Sequence, residues 1–374
     1  MKKIINVFTV LISILLLSSC IQDEPLNAEC DITGVSFSSD ILNRAPIISN
    51  DKVVLVVKNG VNVTALAPMF ELTPGATIQP QSGTIRDFTT PQEYTVTSQD
   101  GEWHKTYTVE VQRTGTMNLE YGFEHVRQVS ALMGACSYDV FFEVGQDGKE
   151  SLTWASANAA FALTLQGSTP NTFPTYQAED GRSGKCVALT TRSTGSFGAN
   201  MKKPLAAGSL FLGEFAMANA LSKPLEATHF GTPFASEPTS LWGYYKYFPG
   251  EEYCSLDANG KLVPVPGKVD KFNIYAVFFE VTSDMEWLDG TNVLAEDNDN
   301  IVATAVIPSA DLAAEWTEFD IPFIYRKGKT VDPEKLASGK YSITIVMSSS
   351  RDGDYFSGAI GSTLYVDELI LNCK

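Results

Sequence analysis

The sequence predicts an all-β chain, a small β-sandwich followed by a larger jelly-roll β-sandwich. Three observations predict it. Short runs rich in Val, Thr, Tyr and Phe recur along the chain, and Gly, Asn, Asp and Pro separate them, as in sandwiches and barrels. Helical periodicity is nearly absent beyond the N-terminal segment. The composition, 44% hydrophobic, 11% aromatic and 19% charged, allows sizeable cores and does not resemble a disordered chain.

The N-terminal segment reads as a targeting signal. Lys2 and Lys3 form a basic start, Ile4 through Leu17 an apolar run, and Leu17-Ser18-Ser19-Cys20 a lipobox. The apolar run is shorter than the roughly 20 residues of a spanning helix. Residues 1–19 are therefore expected to be a lipoprotein signal peptide, and Cys20 the lipid anchor, its thiol accepting diacylglycerol. The alternative is an uncleaved anchor helix. Residues 20–29 form an acidic tether. Within it, Gln22-Asp23-Glu24 resembles the export signal that sends Bacteroidetes lipoproteins to the cell surface, which implies an outer-membrane, surface location. A plain flexible tether is the other reading.

Residues 30–114 are the first sandwich. Val53-Val54-Leu55-Val56-Val57 is a strand ended by Asn59-Gly60. Tyr94–Thr97 and Tyr107–Val111 alternate around Asp100-Gly101, a hairpin signal. Trp103, near the hairpin tip, is expected to pack within its loop, with ligand contact as the alternative. The segment resembles the small immunoglobulin-like modules that open many Bacteroidetes surface lipoproteins, which implies a spacer.

After the polar break Arg113-Thr114-Gly115-Thr116, residues 117–374 form the second domain. Its strands are Val140–Val144, Phe272–Val281, Ile301–Ile307, Phe319–Tyr325, Tyr341–Met347 and Thr363–Leu371. Two helical turns interrupt them. Ser309 caps one through Asp311–Ala314; Asp332 caps the other, with Pro333 at its first position and Gly339 past its end. So much antiparallel strand in one domain suggests a jelly roll with long loops.

Four stretches of this domain resemble one family as a set. They are Thr153-Trp154-Ala155-Ser156-Ala157-Asn158, Ala207 through Phe215, Leu241 through Gly250, and Arg351-Asp352-Gly353-Asp354-Tyr355-Phe356 with its continuation through Gly361 to Leu369. Together they resemble the putative carbohydrate metabolism domain of Bacteroidetes lipoproteins, over roughly Met117 to Lys374. The resemblance implies an immunoglobulin-like domain, then a jelly roll with a glycan-related role. It brings no catalytic residue with it.

Sugar recognition needs aromatic faces to stack on C–H-rich rings and polar groups for hydroxyls. On a strand, Trp242, Tyr244, Lys246 and Phe248 share one face, and Gly243, Tyr245 and Tyr247 the other. Lysine is rarely buried unpaired, so Trp242, Tyr244 and Lys246 are candidate carbohydrate contacts, core packing being the alternative. Trp154 and Asn158 form a second candidate pair, a platform beside an amide, or simply packing between sheets. Arg351, Asp352 and Asp354 form a third, on a loop suited to hydroxyl recognition or to an ordinary Asp-Gly turn.

Other chemistries find less support. A formal charge of −17 argues against nucleic acid, whose binding rests on Lys and Arg. Glu296-Asp297-Asn298-Asp299-Asn300 offers oxygen ligands but lacks the calcium-loop pattern of EF-hands, and a solvated loop explains it. No metal or cofactor is expected. His125 and His229 read as structural. Besides Cys20 there are five cysteines and no C-x-x-C pair, so at least one should be free. Glycoside hydrolysis would need two converging carboxylates; Glu143, Glu214, Glu280 and Glu368 are the candidates. The leading expectation is carbohydrate binding by the jelly roll. A glycoside hydrolase and a structural or adhesive surface protein are the alternatives.

Overall fold

The computed structural model describes residues 26–374 except 40, 43–44, 59–60, 114–118, 132–135, 146–147 and 149. The signal peptide, Cys20, Gln22-Asp23-Glu24, the Asn59-Gly60 strand end and most of the polar break lie outside the described residues. The protein is all-β.

The N-terminal module is a five-stranded sheet packed on a two-stranded one. The sheet order is Ile47–Ser49, Lys52–Val57, His104–Arg113, Gln92–Thr97, Thr77–Gln79. Lys52–Val57 runs parallel to His104–Arg113, and the other pairs are antiparallel. Val53 through Val57 are all buried, which explains the unbroken apolar run. Ile32 and Val35, from the strand Ile32–Ser36, close the core over Leu55, Tyr94, Val96 and Tyr107. The hairpin forms where Asp100-Gly101 places it, with Thr97 opposite His104. Asp100 ties the tip by accepting from the Ser98 hydroxyl (2.5 Å) and the Glu102 amide (3.0 Å). Trp103 does not pack within this loop: it is 60% exposed.

The C-terminal domain is a sandwich of two antiparallel sheets. The first runs Thr175–Ala178, Cys186–Thr190, Thr363–Cys373, Pro238–Phe248, Ala313–Pro322. The second runs Ser209–Phe211, Tyr341–Ser348, Asn273–Glu280, Ile301–Val306, Ile324–Tyr325. Alternate residues fill the space between them: Leu241, Tyr245, Tyr247 and Leu364 meet Ile274, Phe278, Ile343 and Met347. Gly243 faces inward, where a Cβ would lie 3.2 Å from the Leu369 Cα and 3.1 Å from the Phe319 ring.

The second sheet is also apolar on its other face. Tyr275, Val277, Phe279 and Val346 pack there with Phe230, Leu288 and Val293. The segments that connect the strands of the two sheets, including the short pair Gly213–Phe215 and Thr228–Phe230, therefore form a third layer over this sheet. That layer accounts for the continuous burial of Asn273–Glu280 from Ile274 to Phe279.

Two expectations about local structure need correction. No helical turn follows Ser309. Ala313–Pro322 is an edge strand paired along Pro238–Phe248 from Tyr247↔Ala313 to Ser240↔Pro322, and that ladder overrides the weak helical preference of Asp311–Ala314. The run Phe319–Tyr325 also splits: Ala313–Pro322 belongs to the first sheet, and Ile324–Tyr325 joins the second. The Asp332 cap does form, its carboxylate accepting from the amides of Glu334 (2.8 Å) and Lys335 (3.2 Å) before the helix Pro333–Ala337. Cys30, Cys136, Cys186, Cys254 and Cys373 are all free.

Candidate functional site

The three groups of candidate residues fall in three different places. Trp242, Tyr244 and Lys246 stand half-exposed on the outer face of the first sheet. Their faces are already engaged there. The Trp242 indole N–H donates to Glu318 (2.8 Å), and its ring meets Tyr244 edge-on at 5.0 Å. The Arg182 guanidinium stacks 3.7 Å from the Tyr244 ring centre and pairs with Glu368. The Lys246 ammonium lies 4.9 Å over Trp316. This is a flat ledge whose rings hold protein cations.

Trp154 and Asn158 are core residues, 2% and 0% exposed, and no ligand reaches them there. The Trp154 N–H donates to Glu143 (3.1 Å). The Asn158 amide donates to the carbonyls of Thr175 (2.7 Å) and Asp139 (3.3 Å), and its oxygen accepts from the Thr175 amide (3.2 Å). The amide is thus spent fastening a helical turn to two strands. Burial pushes the Glu143 carboxyl up to about 7, against the pull of the Trp154 hydrogen bond and with help from Glu124.

The loop carrying Arg351, Asp352 and Asp354 is divided. Asp352 accepts from the Tyr253 hydroxyl (2.5 Å) and the Lys268 ammonium (2.9 Å). Burial would raise its carboxyl, but these two partners hold it below the ordinary aspartate range. Arg351 and Asp354 instead line a cavity of about 990 Å3. That volume is at the top of the roughly 300–1,000 Å3 range of small-molecule sites. It lies over the outer face of the second sheet, on the opposite side of the sandwich from Trp242. The ledge and the loop therefore do not share a groove.

Local sequence explains how the loop reaches the cavity. The Arg351 amide donates to the Lys271 carbonyl (2.6 Å), which seats the loop beside the start of Asn273–Glu280. Gly353 packs so closely that a Cβ would sit 2.4 Å from the Ala207 Cβ. Phe356 takes a left-handed φ of 53°, and the Lys203 ammonium lies 5.8 Å over its ring. Asn273 and Tyr275 join Arg351 and Asp354 from the sheet below, Phe161, Phe211 and Phe230 form the buried floor, and the exposed rings of Phe197 and Tyr355 contribute aromatic wall. Asn273 and Tyr275 escape sequence reasoning because their strand reads as buried core. The signal available was Asn273, a polar side chain opening an apolar run.

The four candidate hydrolytic glutamates sit in separate neighbourhoods. Glu143 is in the core with Trp154. Glu280 binds Lys335 (2.6 Å), and Glu368 binds Arg182. Glu214 lines a second, more polar cavity of about 1430 Å3 beside the N-terminal module; there Lys52 reaches both Glu110 (3.0 Å) and Glu214 (3.8 Å). None of the four lines the first cavity, where Asp354 is the single carboxylate among the described residues. Among the described residues no cluster of His, Cys, Asp and Glu could hold a metal ion.

Residues 122–372 match the family model of the putative carbohydrate metabolism domain, and residues 34–111 that of the SGBP N-terminal domain. A putative glycoside hydrolase from Bacteroides thetaiotaomicron is 45% identical, with a TM-score of 0.80 over 94% of this chain and 99% of its own. A putative glycoside hydrolase from Bacteroides vulgatus is likewise 45% identical, with a TM-score of 0.63 over 70% of this chain and 100% of its own. No curated protein matches.

Proposed function

Since the chain belongs to the putative carbohydrate metabolism domain family of Bacteroidetes proteins, we propose that it binds carbohydrate in the cavity beside Arg351 and Asp354, held at the cell surface by lipid on Cys20 with the N-terminal module as spacer. One observation carries the assignment of the site: aromatic walls and a cluster of hydroxyl-binding groups meet in one concavity. Phe197 and Tyr355, exposed on the cavity wall, supply aromatic surface for sugar C–H groups. The Arg351 fork donates to hydroxyl oxygens, the Asp354 carboxylate accepts from hydroxyls, and Asn273 and Tyr275 do both.

Isothermal titration of the full chain against a glycan panel tests this. Arg351→Ala and Asp354→Asn are expected to weaken binding by about tenfold or more, since each removes a hydrogen bond to a charged group. Trp242→Ala should leave it unchanged. The opposite pattern would move the site to the outer ledge, and no binding to any glycan would remove the proposal. For the anchor, Cys20→Ser should shift the protein from the membrane fraction to the soluble one.

Hydrolysis is the second reading, favoured by what the two Bacteroides structures are named. Against it, the cavity brings one carboxylate where the usual mechanism uses two. The other place where carboxylates gather has the Lys52 ammonium touching both Glu110 and Glu214. Sugar release that vanishes in Glu214→Gln or Asp354→Asn would establish hydrolysis.

A further inference from the structure

We infer that the ligand of this cavity is amphipathic, a carbohydrate bearing an apolar acyl or aryl group; this rests on the carbohydrate assignment above and narrows it. The hydroxyl-binding groups all come from adjoining segments. Asn273 and Tyr275 are two apart on one strand, Asn273 pairs with Ser348, and the Arg351 amide is bonded to Lys271. Asp354 follows in the next turn and is felt electrostatically by Tyr275. Asn273 is partly exposed and Arg351 exposed where they line the cavity, so their donors and acceptors are within a ligand's reach.

Most of the remaining wall is apolar, and the apolar character continues onto the rim. Phe197, Met201, Leu221, Leu294, Val306 and Tyr355 line the cavity and are 44%, 40%, 40%, 40%, 46% and 61% exposed. Scattered exposed apolar residues are ordinary, but several gathered on one concavity mark a binding surface. A plain sugar does not account for them. A hydroxyl held against Leu221, Met201 or Val306 gives up its bonds to water without replacement, which is costly. The sugar ring therefore belongs at the Asn273–Arg351–Asp354 corner, with an apolar substituent running over the Leu221 and Val306 side.

The test is titration of the full chain with methyl, butyl, hexyl and octyl β-glycosides of glucose, galactose and xylose, kept below their micelle-forming concentrations. For the sugar that is accepted, affinity should climb with chain length, by up to about fourfold for each CH2 that reaches the wall. Leu221→Asn and Val306→Thr should flatten that climb, and Arg351→Ala should lower every chain length by a similar factor. Equal affinity for methyl and octyl forms would overturn the inference and leave the carbohydrate assignment intact. Octanol binding as tightly as the octyl glycosides, whatever the head group, would overturn both. Binding of none of these probes would overturn the inference, while the carbohydrate assignment stands or falls on the glycan panel.

Discussion

The stability of Glu143→Gln relative to the parent should rise as pH rises. The carboxyl is 6% exposed, and burial lifts it from the usual 4.5 to about 7, while the Trp154 N–H bond and the Glu124 charge make smaller adjustments. The unfolded chain ionises this group at the ordinary value, so the folded state binds the proton more tightly. The stability this provides is complete below the unfolded value and is lost as pH climbs through the folded one. Each pH unit between the unfolded and folded values is worth about 1.36 kcal/mol, so ionisation costs the fold about 3 kcal/mol at pH 8 and under about 1 kcal/mol at pH 5. Gln keeps an oxygen for the Trp154 indole but cannot ionise. The difference in stability between Glu143→Gln and the parent should therefore grow by about 2.5 kcal/mol between pH 5 and pH 8. For a domain of this size that is about 5–10 °C in melting temperature. Thermal melts of both proteins across that range measure it, and the subtraction removes every other titrating group. The absolute offset at pH 5 is not the point, because it includes whatever the second amide proton finds to bond. A difference independent of pH, or one that shrinks as pH rises, would refute the burial argument.

Three further outcomes can be checked. Gly353→Val should cut glycan binding and lower stability by about 1–3 kcal/mol through overpacking against Ala207; calorimetry and a melt read both, and unchanged binding would detach the loop from the site. Asp332→Ala removes both cap bonds of Pro333–Ala337 and should cost about 1 kcal/mol, leaving binding untouched because that helix does not line the cavity. Alkylation of the unfolded chain without reductant should label Cys30, Cys136, Cys186, Cys254 and Cys373 alike, since all are free; mass spectrometry of a disulfide-linked peptide would contradict this.

Much of the fold was legible because strands carry their register in a two-residue period. That period alone separates Trp242, Tyr244 and Lys246 from Tyr245 and Tyr247. It does not say what meets the outward face, and here Arg182, from a distant segment, covers Tyr244. Ser309 misleads for a related reason: a cap signal is local, whereas the ladder to Pro238–Phe248 is made of residues far along the chain. Trp154 and Asn158 show a further limit. An aromatic and an amide at binding spacing look the same in sequence whether the amide meets a ligand or, as here, two backbone carbonyls.

The cavity was the least legible part, and its physics says why. A two-layer sandwich needs apolar residues on only one face of each sheet, yet Tyr275, Val277, Phe279 and Val346 are apolar on the second face too. Such a face requires a cover, and the cover cannot be read as strand. It has to come from apolar residues in the short helices and loops between strands, and Phe197, Met201, Leu221 and Leu294 are of that kind. A continuously buried strand and unplaced apolar loops are thus two halves of one signal for a third layer. Where that layer fails to close over Asn273, the polar end of the strand and the apolar edge of the cover are left facing one space. An amphipathic ligand satisfies both at once, which neither a bare sugar nor a bare hydrocarbon does.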